Sequence, residues 1–286
     1  MVRNRFGGGR KAPFKRLAKA GAGALALLLA SAGPAQTQPM PLIRAPSIVH
    51  ATPALWVIRD GDTTIYLFGT FHTLDGRTAW FDKKVREAFN ASNELVLETV
   101  IPADMSGARD EVTETTPDGK RRLKPFIAQT RAVMSQGNAM GMSVDNGADA
   151  VLRRVAEGNG KTVSGLERFE DQLRTLSNIP APPPAAAAAA PAAPPPAVVT
   201  INDLLGAWTK GDTGAFSTML AGFEAKSPTA YRILIADRNA RWGQWIAKRL
   251  EQPGTVFVAV GTGHLAGKHS VQSWLAGRGI ATSRVS

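Results

Sequence analysis

The chain has 286 residues, with 34 Lys and Arg, 23 Asp and Glu, four His and no Cys. This length is sufficient for a hydrophobic core that needs no metal ion or disulfide for folding. The lack of cysteine excludes thiolate zinc sites, iron–sulfur clusters, disulfide scaffolds and cysteine nucleophiles. Any bound metal must therefore be held by His, carboxylate, amide or water ligands.

The net charge of +11 is concentrated near the N-terminus, because residues 1–19 contain seven basic and no acidic side chains. An apolar run follows at 20–32, and small residues come next. This pattern is typical of a secretory signal peptide, which we predict over residues 1–35. A retained membrane anchor is the alternative, although the run is short for a bilayer-spanning helix. Without residues 1–35 the chain has 27 basic and 23 acidic side chains and a net charge of +4, so no nucleic-acid partner is expected. Cleavage of the signal peptide is expected to leave no stable membrane anchor.

The folded domain is predicted over residues 53–286, after a flexible lead-in at 36–52 that is rich in Pro and Ala. Residues 54–60 and 63–69 are rich in β-branched and aromatic side chains, and they predict a hairpin around Gly61–Asp62. Apolar residues at helical spacing then predict a helix over 78–91. The apolar run 94–100 predicts a buried strand.

The middle of the chain is predicted to be mostly helical. Helices are expected at 123–136, 147–157, 203–208, 213–223 and 228–250, with a short strand at 161–165. A buried strand at 255–261, a helix at 267–276 and a last strand at 279–285 complete the pattern. The Pro/Ala-rich segment 180–197 cannot fill a core and is predicted to be a disordered insertion.

Two predicted strands are each followed by the pattern Gly-Thr-X-His. The first copy ends at His72 and the second at His264. In an α/β sheet, loops at the carboxyl ends of the strands aim side chains at a common crevice. Two imidazoles brought together there could bind one metal ion or share acid–base work, whereas a single strand-end His is more often structural.

Glu98 lies within the run 94–100, directly after its apolar residues 95–97. A carboxylate buried there needs a cation, a metal or hydrogen-bond donors to offset its desolvation. The alternative is an exposed glutamate at a strand end.

These motifs resemble those of the TraB/GumN family, which is related to the Tiki membrane-tethered metalloproteases and, more remotely, to the erythromycin-esterase and ChaN-like fold. The resemblance is carried by PALWVIRDGDTTIYLFGTFHTL, SVDNGADAVLRRVAEGNGKTVSGLERFEDQL, AWTKGD, RNARW and VAVGTGHLAGKHSVQSWLAGRGI. It covers the chain from residue 53 to the C-terminus apart from the Pro/Ala-rich insertion. It implies an α/β fold with a central mixed sheet flanked by helices and a helical lobe inserted in mid-chain.

The resemblance also implies a set of site residues. Those expected to face the site are His72, His264, Glu98, Arg77, Arg238 and Asn239, and Glu167 and Gln172 match a polar pair of unassigned role. On this basis His72, His264 and Glu98 are predicted to hold a divalent ion (Mn, Co or Zn), with Glu98 as general base in the alternative. Arg77 or Arg238 would stabilise oxyanion charge or form ordinary ion pairs. Asn239 would orient a neighbour.

The function implied is that of a periplasmic, metal-dependent hydrolase of the Gram-negative envelope that cleaves a peptide or another amide or ester substrate. The alternative is a non-catalytic protein of the same fold. It would bind haem or iron, or act as an accessory factor in envelope polysaccharide or signalling pathways.

Overall fold

The computed structural model describes residues 47–102, 104, 108–179 and 199–285. The predicted signal peptide, residues 36–46 of the predicted lead-in and the Pro/Ala-rich insertion lie outside the described residues.

The described strands are short except in the centre of the sheet. In chain order they are β1 (Val49–His50), β2 (Leu55–Arg59), β3 (Thr63–Thr70), β4 (Thr78–Ala79), β5 (Glu94–Thr99), β6 (Thr113–Thr115), β7 (Arg121–Leu123), β8 (Thr162–Glu167), β9 (Gly254–Gly261) and β10 (Ser283–Arg284).

The described helices connect these strands. They are α1 (Lys83–Ala91), α2 (Ala108–Val112), α3 (Pro125–Ala139), α4 (Ala148–Gly158), α5 (Phe169–Ser177), α6 (Ile201–Thr209), α7 (Gly214–Lys226), α8 (Pro228–Tyr231), α9 (Asp237–Arg249) and α10 (Val271–Ala276). A π-helical segment at Arg232–Ala236 joins α8 to α9, and 3₁₀ turns occupy Val144–Asn146 and Thr262–Leu265. None of the described helices is long and apolar enough to cross a bilayer.

The central sheet has six strands in the order β10-β2-β3-β9-β5-β8. Strands β3, β9, β5 and β8 run parallel, while β2 and β10 add an antiparallel edge beside β3. The predicted α/β class with a mixed sheet flanked by helices is therefore confirmed. The carboxyl ends of the four parallel strands lie at one edge of the sheet.

Each face of the sheet is covered by its own apolar cluster, as expected for parallel strands buried on both sides. On one face Phe68 and Phe257 pack with Phe89 of α1 and with Trp208 of α6. On the other face the alternate valines of β9 pack against Trp242 and Ile246 of α9 and against α10. The sheet is thus the middle of three layers.

Some predicted helix boundaries are wrong, and local capping explains why. The predicted helix 78–91 begins only at Lys83, because Asp82 accepts a hydrogen bond from the Val85 amide and Thr78–Ala79 instead pair with β1. The predicted helix 267–276 begins at Val271, because the Ser270 side chain accepts from the amide of Ser273. The predicted single helix 228–250 contains the π-helical segment, which the periodicity does not indicate.

Candidate functional site

Each of the four parallel strands delivers one ionisable side chain to the carboxyl edge of the sheet. His72 lies two residues after β3, and His264 lies in the 3₁₀ turn after β9. Glu98 lies near the end of β5, and Glu167 is the last residue of β8. The histidines of the two Gly-Thr-X-His patterns therefore lie at the same edge of the sheet, at the carboxyl ends of their strands.

The two Gly-Thr-X-His segments also pack directly against each other. The Thr262 hydroxyl donates to the carbonyl of Thr70 at 2.9 Å, and the Trp208 indole donates to the carbonyl of Gly69 at 2.8 Å. A Cβ atom on Gly69 would lie 2.8 Å from the Thr262 hydroxyl oxygen, which is closer than real Cβ contacts allow. Glycine at position 69 is thus needed for this close approach.

Arg238 is the hub of the buried part of the site. Its Nη2 donates to Glu98 Oε2 at 2.9 Å, its Nε donates to Glu167 at 3.1 Å, and its Nη1 donates to Nε2 of His264 at 3.2 Å. The side chain is only 7 % exposed. Because each of its three nitrogens already donates to a neighbour and the side chain is buried, Arg238 holds these groups in place.

The backbone that carries Arg238 has an unusual geometry. The π-helical segment ends at Ala236, two residues before Arg238, and the Leu234 carbonyl within it accepts a further, long bond from Arg238 Nη1 at 3.5 Å. π-turns inside α-helices are frequent at functional sites. The segment sets the rotation at which Arg238 and Asn239 leave the helix.

His264 is buried and held at both ring nitrogens. Its Nδ1 donates to Oδ1 of Asn239 at 2.7 Å, while Nε2 accepts from Arg238. These partners fix the neutral tautomer that carries its proton on Nδ1. Burial, with a contribution from the Arg238 charge, lowers the pKa of His264 to about 3 even though Glu98 opposes this shift. Asn239 thus bonds to the ring of His264 through its amide oxygen, and its amide nitrogen donates to the carbonyls of His264 and His269.

Glu98 is a buried, ionised carboxylate. Burial alone would raise its pKa, but Arg238, His264, His72 and the amide of Gly261 hold the pKa well below its usual range. The Gly261 amide donates to Oε1 at 2.7 Å. The alternative of an exposed strand-end glutamate is therefore wrong.

His72 differs from His264 because its side chain is 56 % exposed. Its Nδ1 lies 2.8 Å from Oδ2 of Asp149, which also accepts from the Thr70 hydroxyl through Oδ1. The charge of Asp149 is the main reason why the pKa of His72 rises to about 9. With Nδ1 bonded to Asp149, the Nε2 atom of His72 is left for other partners.

Sequence reasoning missed Asp149. It lies in the first turn of α4, where the Ala148 amide donates to the carbonyl of Phe71. A Cβ atom on Gly147 would lie 2.1 Å from the carbonyl oxygen of His72, so only glycine lets α4 begin this close to the first motif. The available signal was an acidic residue two positions after that glycine, at a predicted helix start.

His72 and Glu98 share the space above Gly261. A Cβ atom built on this glycine would lie 2.9 Å from Nε2 of His72 and 3.1 Å from Oε1 of Glu98. We call the space bounded by Gly261 and these two atoms the Gly261 gap. It is the place where a basic ring nitrogen and a carboxylate oxygen converge on one point.

Of the other predicted site residues, Glu167 belongs to the hydrogen-bond network around Arg238, whereas Arg77 pairs with a residue outside this network. Glu167 joins the network, where it also accepts from the Trp242 indole and from the exposed Arg241, each at 3.1 Å. Arg77 is 55 % exposed and pairs with Asp75 at 2.8 Å. Gln172 lies on α5, half-buried.

The positions of the three predicted ligands show which of them could hold a divalent ion together. Within the described ranges, no group of three or more His, Asp and Glu side chains is arranged to hold a metal ion. Nε2 of His72 and Oε1 of Glu98 face the Gly261 gap, and the bond from Nδ1 to Asp149 is the usual support of a metal-binding imidazole. Nε2 of His264 lies 3.7 Å from Glu98 Oε1 but faces Arg238. Two of the three predicted ligands therefore face the gap together, and the third faces Arg238.

Comparison with known proteins supports the resemblance given by the motifs. The model of the TraB/PrgY/gumN family matches residues 54–120 and 108–284. No curated protein and no solved structure matches the chain. The family model covers nearly all of the sheet, the flanking helices and every residue of the network, and the chain belongs to the TraB/PrgY/gumN family.

Proposed function

We propose that this chain is a metal-dependent hydrolase of amide or ester bonds, peptidase-like in its chemistry, with the Gly261 gap as its reaction centre. The observation that carries the proposal is the convergence of His72 Nε2 and Glu98 Oε1 on the position of a Gly261 Cβ atom. The His72 side chain beside this point is 56 % exposed, while that of Glu98 is 12 % exposed.

The charges around the gap favour a cation there. Asp149 and Glu98 both raise the pKa of His72, against the opposing charge of Arg238, so a proton is retained on Nε2 at neutral pH. The same two carboxylates would favour a divalent ion that displaces this proton. His72 Nε2 and Glu98 Oε1 are the atoms that would hold it. When bound, such an ion supplies a Lewis acid and lowers the pKa of a bound water toward neutrality.

The remaining residues would position these two ligands. Asp149 fixes the ring orientation of His72 and keeps Nδ1 protonated. Arg238 and the Gly261 amide hold the two oxygens of Glu98. Because the pKa of Glu98 lies far below neutrality, it suits the role of ligand better than that of general base, whose pKa should be near the working pH.

The proposed setting is the periplasm of a Gram-negative envelope. It is supported by the basic and apolar N-terminal segment, which has the composition of a signal peptide. A peptide or another amide or ester is the proposed substrate.

Turnover by matched variants tests the proposal. The full-length protein would be supplied with Mn²⁺, Co²⁺ or Zn²⁺ and assayed against a peptide library and chromogenic esters. We expect ion-dependent hydrolysis that His72→Ala removes and that Asp149→Asn lowers by about 10–100-fold, the usual effect of losing a residue that orients a ligand.

His269→Ala is the control, because this histidine is exposed and its ring bonds to the Tyr231 hydroxyl instead of to the network. Circular dichroism would check the folding of every variant. Hydrolysis that is equal in wild type and folded His72→Ala, or absent with all ions and both substrate classes, would contradict the proposal.

A further inference from the structure

The guanidinium of Arg238 lies between two of the residues that the sequence predicts to share an ion. It donates through Nη2 to Glu98 at 2.9 Å and through Nη1 to Nε2 of His264 at 3.2 Å. Glu98 Oε1 and His264 Nε2 are themselves only 3.7 Å apart. A positive charge built into the chain therefore already links these two side chains.

The hydrogen bond from Arg238 occupies the one nitrogen lone pair through which neutral His264 could bind a metal ion. A neutral imidazole has one protonated nitrogen and one acceptor nitrogen. Nδ1 donates to Asn239, whose amide nitrogen is anchored by the carbonyls of His264 and His269. Nε2 is then the acceptor, and it is occupied by Arg238. An N–H donor and a metal ion cannot both take the same lone pair.

Moving Arg238 away would disturb more than one contact. Its Nε also donates to Glu167, and its guanidinium lies over the Trp242 ring, 4.6 Å from the centroid. Displacement would leave Glu98, only 12 % exposed, without its main counter-charge. The network thus favours the arrangement in which Arg238 stays and His264 remains its partner.

We infer that Arg238 acts as a resident cation that withholds His264 from a bound metal ion, so that the ion takes His72 and Glu98 as its protein ligands. This inference rests on the proposed function, because it assigns roles around the same gap. It implies that two histidines placed by the same motif have different tasks: His72 binds the ion, and His264 holds Arg238.

Nitrogen NMR of the wild-type protein tests this assignment without any substitution. The chain has only four histidines, so the ¹⁵N signals of full-length protein can be followed one by one during a Zn²⁺ titration. We expect the Nε2 signal of His72 to move to the shift of a metal-bound nitrogen, while His264 keeps its Nδ1 proton and an unmetallated Nε2. A metal-bound shift at His264 Nε2 would overturn the inference.

A variant series provides a second measurement. In Arg238→Gln the charge is gone and Nε2 of His264 is free to bind, so we expect the dissociation constant for Zn²⁺ to fall at least tenfold. Adding His264→Ala to this variant should abolish the gain. Arg241→Gln is the matched control, because Arg241 also pairs with Glu167 but is 56 % exposed at the rim, and its Zn²⁺ affinity should equal that of wild type.

The outcomes separate the inference from the proposed function. If wild type binds Zn²⁺, His72→Ala does not, and Arg238→Gln binds it with an affinity equal to or lower than that of wild type, the inference alone is overturned. If the wild type binds no ion, the proposed function fails. In that case, Zn²⁺ binding by Arg238→Gln that depends on His264 would still support the inference, and no binding by Arg238→Gln would overturn it too.

Discussion

Gly261→Ala is the substitution that tests the gap most sharply. The new Cβ atom would lie 2.9 Å from Nε2 of His72 and 3.1 Å from Oε1 of Glu98. The glycine has φ −51° and ψ 135°, which alanine adopts without strain. The Cβ atom displaces the reacting groups instead of distorting the main chain.

The size of the effect follows from these distances. His72 must move by roughly half an ångström or more to restore ordinary van der Waals contact. Its exposed ring can do so at little cost, and the loss of glycine freedom in the unfolded chain acts in the opposite direction by about 0.4–1 kcal/mol. We therefore expect a free energy of unfolding within about 1 kcal/mol of wild type. Displacement of a ligand by roughly half an ångström to one ångström should lower turnover by up to about 100-fold.

Gly263→Ala is the control from the same motif, because a Cβ atom there meets no atom within 4 Å. Chemical denaturation would measure the stability of both variants, and turnover and Zn²⁺ affinity would measure the site. Gly261→Ala that binds and hydrolyses like Gly263→Ala would refute the assignment of the gap as the reaction centre.

Three further predictions concern the network. Asp149→Asn should return the pKa of metal-free His72 from about 9 toward its ordinary value near 6.5, whereas the control Asp145→Asn should leave it unchanged. NMR titration of the His72 ring proton would measure the pKa in each variant. An unchanged pKa in Asp149→Asn would contradict the role of the Asp149 charge. His264 binds a proton below about pH 6.5 in the unfolded chain but only below about pH 3 in the folded protein. The free energy of unfolding should therefore fall by a few kcal/mol as the pH is lowered from 6.5 to 3. Glu98, whose folded pKa is depressed, should add a further loss below about pH 4.5. The stabilisation from His72, whose pKa is raised, is complete below about pH 6.5 and is lost as the pH rises from there through about 9. Urea titrations that give constant stability from pH 7 to 4 would argue against a neutral, buried His264. Trp242→Phe should lower the free energy of unfolding by about 2 kcal/mol, because the hydrogen bond from the indole to the buried Glu167 carboxylate is lost. The control Trp245→Phe, at a half-buried ring, should lower it less. Equal losses of stability in denaturant titrations would contradict this role of the Trp242 indole.

The parts of the fold that were predictable are those whose signal is local. The apolar runs of β3, β5 and β9 identify buried strands, and the repeated Gly-Thr-X-His pattern places His72 and His264 at equivalent strand ends. Glu98 was a candidate because a carboxylate buried near a strand end needs a partner, but the residues alone left an exposed glutamate open, and the family resemblance placed it in the site. Helix starts were less predictable, because single capping side chains such as Asp82 and Ser270 set them.

The partnerships within the site were not predictable in the same way. The contact between His72 and Asp149 spans 77 residues, and that between Glu98 and Arg238 spans 140. Arg238 was named as a site residue through the family resemblance, but its task as the partner of Glu98, Glu167 and His264 follows only from how α9 packs over the sheet. Periodicity also cannot indicate the π-helical segment that sets its position.

Metal analysis of the purified full-length chain tests whether His72 helps to hold a divalent ion. Wild type, His72→Ala and His269→Ala would each be loaded with Mn²⁺, Co²⁺ or Zn²⁺, freed of excess ion and compared at equal folded protein by circular dichroism. We expect one tightly held ion per chain in wild type and in His269→Ala, and none in His72→Ala. Equal ion content in all three proteins, or no bound ion in the wild type, would contradict it.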